Sequence, residues 1–152
     1  MGRIALIDGD ELAYKHALKY QRKWYTVKKD DHIKWRVHYK EEAIESIGNR
    51  DDLEIGEEIE VLECKGFEEG LNKDISRILY HTSSVDLRIY LSGSNNFRYS
   101  LATLQPYKGN RPPEKPFHLE TIQTELLYRK AESVDFLEAD DLLSANYQLL
   151  KD

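Results

Sequence analysis

Cysteine is nearly absent from these 152 residues: Cys64 stands alone, which excludes an intrachain disulfide and a cysteine-based zinc site. Long apolar runs are missing as well. The longest strongly apolar stretch, Ile4 to Ile7, is far too short to span a membrane. Met1-Gly2-Arg3-Ile4 lacks the apolar stretch that opens a signal peptide. Gly2 stands where a myristoylated glycine would, but Leu6 occupies the position that the motif gives to Ser or Thr. Four Pro and eight Gly exclude collagen-like and low-complexity chains. These absences point to a soluble cytoplasmic protein that keeps clear of membranes. The length fits one domain covering residues 1–152, and no Gly-, Pro- or Ser-rich linker divides it.

Charge, by contrast, is abundant. Charged residues make up 33% of the chain and the net charge is −6, which by itself argues against non-specific nucleic-acid binding. The distribution is uneven. Lys15 to Lys40 holds nine Lys/Arg against two Asp/Glu, a local charge of +7, whereas Glu41 to Asp74 holds three against thirteen, a local charge of −10. Such asymmetry can offer a basic face to a polyanion, or it can be solvated charge on amphipathic elements.

Periodicity supplies the elements. Arg3–Ile7 and Val85–Leu91 read as buried strands, and Ser133–Phe136 as a short one. Trp24–Lys28 and Ile33–Tyr39 alternate around Asp30-Asp31, a hairpin pattern, and Glu58–Cys64 alternates again. Helical spacing predicts helices over Glu11–Tyr20, Glu41–Ile47, Glu68–His81, His118–Arg129 and Asp140–Lys151. Pro106 to Pro116 holds all four prolines and is expected to be irregular. Strands alternating with helices predict an α/β domain with a mostly parallel central sheet flanked by helices.

Open α/β sheets bind ligands at the C-terminal ends of their strands. Three segments fall there: Asp8 after the first strand, Ser92 to Arg98 after the second, and Glu138, Asp140 and Asp141 after the third. A parallel sheet would gather them at one edge. Acids at a helix start cap free N–H groups and oppose the macrodipole. Three of them within four residues, with Asp8 close by, also suit a divalent cation such as Mg²⁺, which takes oxygen ligands and retains waters. Both readings stay open on spacing alone. Tyr107-Lys108-Gly109-Asn110-Arg111 sets a planar ring beside two cations, suited to base stacking and phosphate contact, or else forms a plain surface loop.

Ile7-Asp8-Gly9-Asp10, Asn96-Phe97-Arg98, Tyr107 to Arg111 and Glu138-Ala139-Asp140-Asp141, taken in that order, resemble the phage 5′-3′ exonuclease and flap endonuclease family, within the PIN-like nucleases. The resemblance covers the whole chain, more loosely between Trp24 and Thr82. It implies hydrolysis of DNA phosphodiesters from or near a 5′ end or flap, with Mg²⁺ or Mn²⁺. By the resemblance Asp8, Glu138, Asp140 and Asp141 are the metal ligands, and Lys108 and Arg111 the cations near the scissile phosphate. Tyr107 would stack on a terminal base, with Arg98 and Asn110 at the same nucleic-acid surface. Asp10 is an acid that many relatives lack. If the chain is phage-encoded, its compartment is the host cytoplasm.

Two departures accompany the match. Leu91-Ser92-Gly93-Ser94-Asn95-Asn96 has no acid, where many relatives carry an Asp after the second strand. Relatives are also much longer, with a second acidic cluster and a helix-turn-helix region that grips duplex DNA. The expectation is therefore a fragment or one subunit of a complete nuclease, completed by a second polypeptide and weakly active alone. Two alternatives stand beside it. One is a small PIN-type ribonuclease. The other is a non-catalytic nucleic-acid-binding subunit that uses Tyr14 to Lys40, where Trp24, Tyr25, Trp35 and Tyr39 either stack on bases or form the hairpin core.

Overall fold

The computed structural model describes residues 2–94 and 114–151. In chain order the elements are β1 (Arg3–Asp8), α1 (Gly9–Leu18), β2 (Gln21–Lys29), β3 (His32–Val37), α2 (Lys40–Ile47), β4 (Glu54–Val61), α3 (Phe67–Thr82), β5 (Ser84–Ser92), α4 (Leu119–Tyr128), β6 (Glu132–Val134) and α5 (Ala139–Lys151). They cluster into two compact units, one made of residues 1–18 and 64–152, the other of residues 19–63. Nothing in the composition marks these boundaries. They fall at Leu18-Lys19-Tyr20 and Leu62-Glu63-Cys64, which hold no Gly, Pro or Ser.

The first unit is α/β. Its sheet has the order β1-β5-β6 with both pairings parallel, Ile7 lying against Ile89 and Ser92 against Val134. Parallel neighbours need a crossover, which helices provide here. The apolar runs Ile4–Ile7 and Ile89–Leu91 suit strands covered on both faces. Tyr90 is fully buried and packs with Ala139 and Leu142 of α5, joined by Leu6, Leu137 and Leu143. Both α1 and α3 pack against β5, and α1 also packs against α4. Buried side chains from these elements include Leu12, Ala13 and Ala17 of α1, Leu71 of α3, and Ile122 and Leu126 of α4.

Two glycines permit close backbone approaches in this unit. A Cβ on Gly9 would fall 2.7 Å from the Tyr90 carbonyl oxygen, so α1 starts directly against β5 because residue 9 has no side chain. A Cβ on Gly93 would overlap the Val134 carbonyl, and the Gly93 N–H donates to the Leu137 carbonyl at 2.9 Å. The ends of β5 and β6 are thereby drawn together.

The second unit is an antiparallel sheet of order β3-β2-β4 with α2. The β2–β3 turn is made by Asp30 and Asp31, at φ 50° and 63°. Positive φ at both central residues is the condition for the primed turn that matches strand twist. Val27, Ala43 and Leu53 form this unit's core, with Tyr25, Trp35, Val37 and Ile47 packed around it. Trp24 lies on the opposite side of β2, stacked on His38 with ring centroids 4.1 Å apart and donating Nε1–H to Glu60 at 2.8 Å. Tyr25 and Trp35 are thus core members, while Trp24 belongs to the outer sheet face and Tyr39 is exposed. Among the described residues no helix is long and apolar enough to cross a membrane.

Candidate active site

The three strand-end segments do meet, and Ser92 is where they do so. As the last residue of the central strand β5, Ser92 directs its N–H at both carboxylate oxygens of Asp10, at 3.3 and 3.1 Å. Its hydroxyl also donates to Asp10. The same hydroxyl oxygen accepts the Ala139 N–H, the first amide of α5, at 3.0 Å. One serine therefore ties the start of α1, the end of β5 and the start of α5.

Two of the acids around this point, Asp8 and Asp141, are engaged in starting helices. Asp8 closes β1 and is half-buried; its Oδ1 accepts the N–H groups of Asp10 at 3.0 Å and Glu11 at 3.2 Å. These are two of the orphan amides at the α1 N-terminus. Asp141 Oδ2 reaches back to the Glu138 N–H at 2.9 Å, the side-chain half of a capping box at the start of α5. The Glu138 side chain is buried at 6% exposure, whereas Asp140 is exposed.

Among the described residues no three of His, Cys, Asp or Glu form a group able to hold a metal ion. Asp8, Glu138, Asp140 and Asp141 therefore do not by themselves make such a group. The physical reason is visible in their bonds: Asp8 and Asp141 each spend an oxygen on helix-terminal amides, one at α1 and the other at α5. The donor chemistry, carboxylate oxygen, is what Mg²⁺ takes. The arrangement is not a ligand set, and an ion held here needs oxygens beyond those these four side chains bring together. Capping is thus the role the bonds display for Asp8 and Asp141.

Arg98, Tyr107, Lys108, Asn110 and Arg111 lie outside the described residues. Two contributors at the edge carry little signal in the sequence. Asp10 stands out only as an acid near a strand end. Ser92 has no local signature, because its partners Asp10 and Ala139 are 82 and 47 residues away.

A second polar cluster lies between α1 and α3. His16 is fully buried and its Nε2 is 2.7 Å from Asp74 Oδ2. Lys15 reaches the same oxygen at 3.2 Å, and Arg77 reaches Oδ1 at 3.4 Å. Burial pushes the Asp74 carboxyl up, but the hydrogen bonds and the charges of Lys15 and His16 together hold the group below its ordinary value. This cluster joins two helices and brings no nucleophile with it. Compared with protein-family models, curated proteins and solved structures, the chain matches none.

Proposed function

We propose that the chain contributes the acidic edge of a divalent-metal-dependent nuclease of the phage 5′-3′ exonuclease and flap endonuclease type, acting on DNA from or near 5′ ends. The observation that supports this reading is the meeting at Ser92: acid-bearing segments after β1 and before α5 join at the C-terminal end of a parallel sheet. That is where open α/β sheets take their ligands. In this reading Asp8, Glu138, Asp140 and Asp141 face Mg²⁺ or Mn²⁺ together with further carboxylates from a second polypeptide or another part of the nuclease. Lys108 and Arg111 neutralise the phosphate, Tyr107 stacks on a base, and Arg98 and Asn110 bind the strand beside it.

A non-catalytic nucleic-acid-binding role for Tyr14 to Lys40 is less well supported. Tyr25 and Trp35 are committed to the core of their own unit, and Lys23, Lys29 and Arg36 each have an acidic neighbour at 3.0, 3.2 and 3.8 Å. No observation favours the small ribonuclease. The deciding experiment incubates the chain with 5′-labelled DNA and Mn²⁺, with and without EDTA, beside Asp8→Ala and Asp141→Ala. Slow, EDTA-sensitive release of 5′ products that both substitutions abolish is the expected result. Cleavage that is absent, or equal in wild type and variants, overturns the reading.

A further inference from the structure

We propose that Ser92 is the positioning residue of this edge, setting the first turn of α5 against Asp10. The inference rests on reading the edge as a phosphodiester-hydrolysing site. A hydroxyl has one donor and two acceptor positions. A carboxylate only accepts, so Asp10 fixes the direction of the Ser92 O–H. That leaves the oxygen lone pairs for the Ala139 N–H. The two bonds polarise each other in the same sense: donation to an anion makes the hydroxyl oxygen a better acceptor. The Ser92 N–H adds two further contacts to Asp10, so the carboxylate is held against the strand end.

Position matters as much as chemistry. β5 is the central strand, flanked by β1 on one side and β6 on the other, and its last residue reaches both neighbouring connections. Gly93 follows at once, and its missing side chain lets the β6 end close on β5. Ala139 lies between Glu138 and Asp140, so a shift of its amide moves both acids. An aliphatic residue at 92 would retain only its backbone N–H for Asp10 and would release Ala139. A carboxylate there would oppose Asp10. Threonine keeps the hydroxyl.

The test compares wild type, Ser92→Ala and Ser92→Thr in the full chain with two readouts. In Ser92→Ala, amide hydrogen exchange at Ala139 should rise about fivefold, the loss of one ordinary hydrogen bond. Ile122 in α4 should stay unchanged, and Ser92→Thr should stay near wild type. In the Mn²⁺-dependent cleavage of 5′-labelled DNA, Ser92→Ala should lower kcat roughly 10- to 100-fold with KM unchanged, because the reacting geometry and not binding is disturbed. Ser92→Thr should restore it. Unchanged exchange at Ala139 overturns the proposal. Changed exchange with unchanged kcat also overturns it and leaves Ser92 as a helix cap only. A wild-type chain that does not cleave removes the functional reading and this proposal with it, a result distinct from wild type and Ser92→Ala cleaving alike.

Discussion

At Asp74 one carboxylate answers three side chains. His16, with no exposed surface, depends on it most, because a buried imidazole that loses its partner at 2.7 Å has no solvent to turn to. Lys15 and Arg77 keep most of their surface in water and contribute less. Asp74→Ala should therefore destabilise the chain by roughly 3 kcal/mol at neutral pH, the low end for breaking a buried pair. The pH dependence has a definite sign. The folded carboxyl titrates below its ordinary value of 3.8, so its contribution is complete above that value and is lost as pH falls through the folded pKa. Urea unfolding at pH 7 and pH 3 checks both statements: the gap between wild type and variant should be full at pH 7 and narrower at pH 3. A gap that is constant or widens in acid would mean that Asp74 stabilises by packing and not by charge.

The elements rest on a few close approaches and turns. Gly93→Ala should cost about 1–3 kcal/mol, as overpacking typically does, because a methyl there collides with the Val134 backbone where β5 and β6 end. Thermal unfolding would reveal it, and an unchanged midpoint would show that the strand ends can part freely. In the hairpin, Asp31→Gly should raise stability by about 0.5–1 kcal/mol, since φ 63° is a conformation that glycine adopts without a Cβ penalty. A lower urea midpoint in Asp31→Gly would contradict this. The hairpin was legible in the sequence because Asp30-Asp31 separates two alternating runs. The parallel sheet was legible because strands alternate with helices along the chain. β4 begins at Glu54, ahead of the alternation that starts at Glu58, because Glu54, Gly56, Glu57 and Glu58 look unlike a strand by themselves; in the sheet Lys28 lies opposite Glu54, and Thr26, Tyr25 and Trp24 lie opposite the other three. The strand-end acids were legible as a set. Capping by the acids before α5 was legible as one of two readings; the Asp8 cap on α1 and the bond between Asp10 and Ser92 were not, since both depend on which amides the fold leaves unpaired.

On the scale of the whole molecule, the uneven charge resolves largely within the unit of residues 19–63. Its basic strands β2 and β3 share a sheet with acidic β4, and Lys23 meets Glu57 while Arg36 meets Glu58. The hydrogen bond to Glu57 raises the Lys23 pKa above its ordinary value, and Lys29, with Arg50, lowers that of Asp52. Exposed pairs like these are individually weak. They matter for a polyanion all the same, because a phosphate that displaced Glu57 or Glu58 from its cation would still lie beside that carboxylate. Lys108 and Arg111 stand in a segment with no acid between Leu101 and Pro113. The two sets of cations should separate in a salt series. On duplex DNA each phosphate contact contributes about −0.9 to the slope of log K against log salt. Lys108→Ala with Arg111→Ala should then flatten the slope by nearly 2, whereas Lys23→Gln, Lys29→Gln and Arg36→Gln together should flatten it by less than about 0.5. Fluorescence anisotropy of a labelled 5′-ended duplex, titrated at several salt concentrations, reads both slopes. The opposite pattern, with the triple variant losing the larger slope, would transfer the nucleic-acid surface to the antiparallel sheet and remove the Tyr107–Arg111 segment from the proposed mechanism.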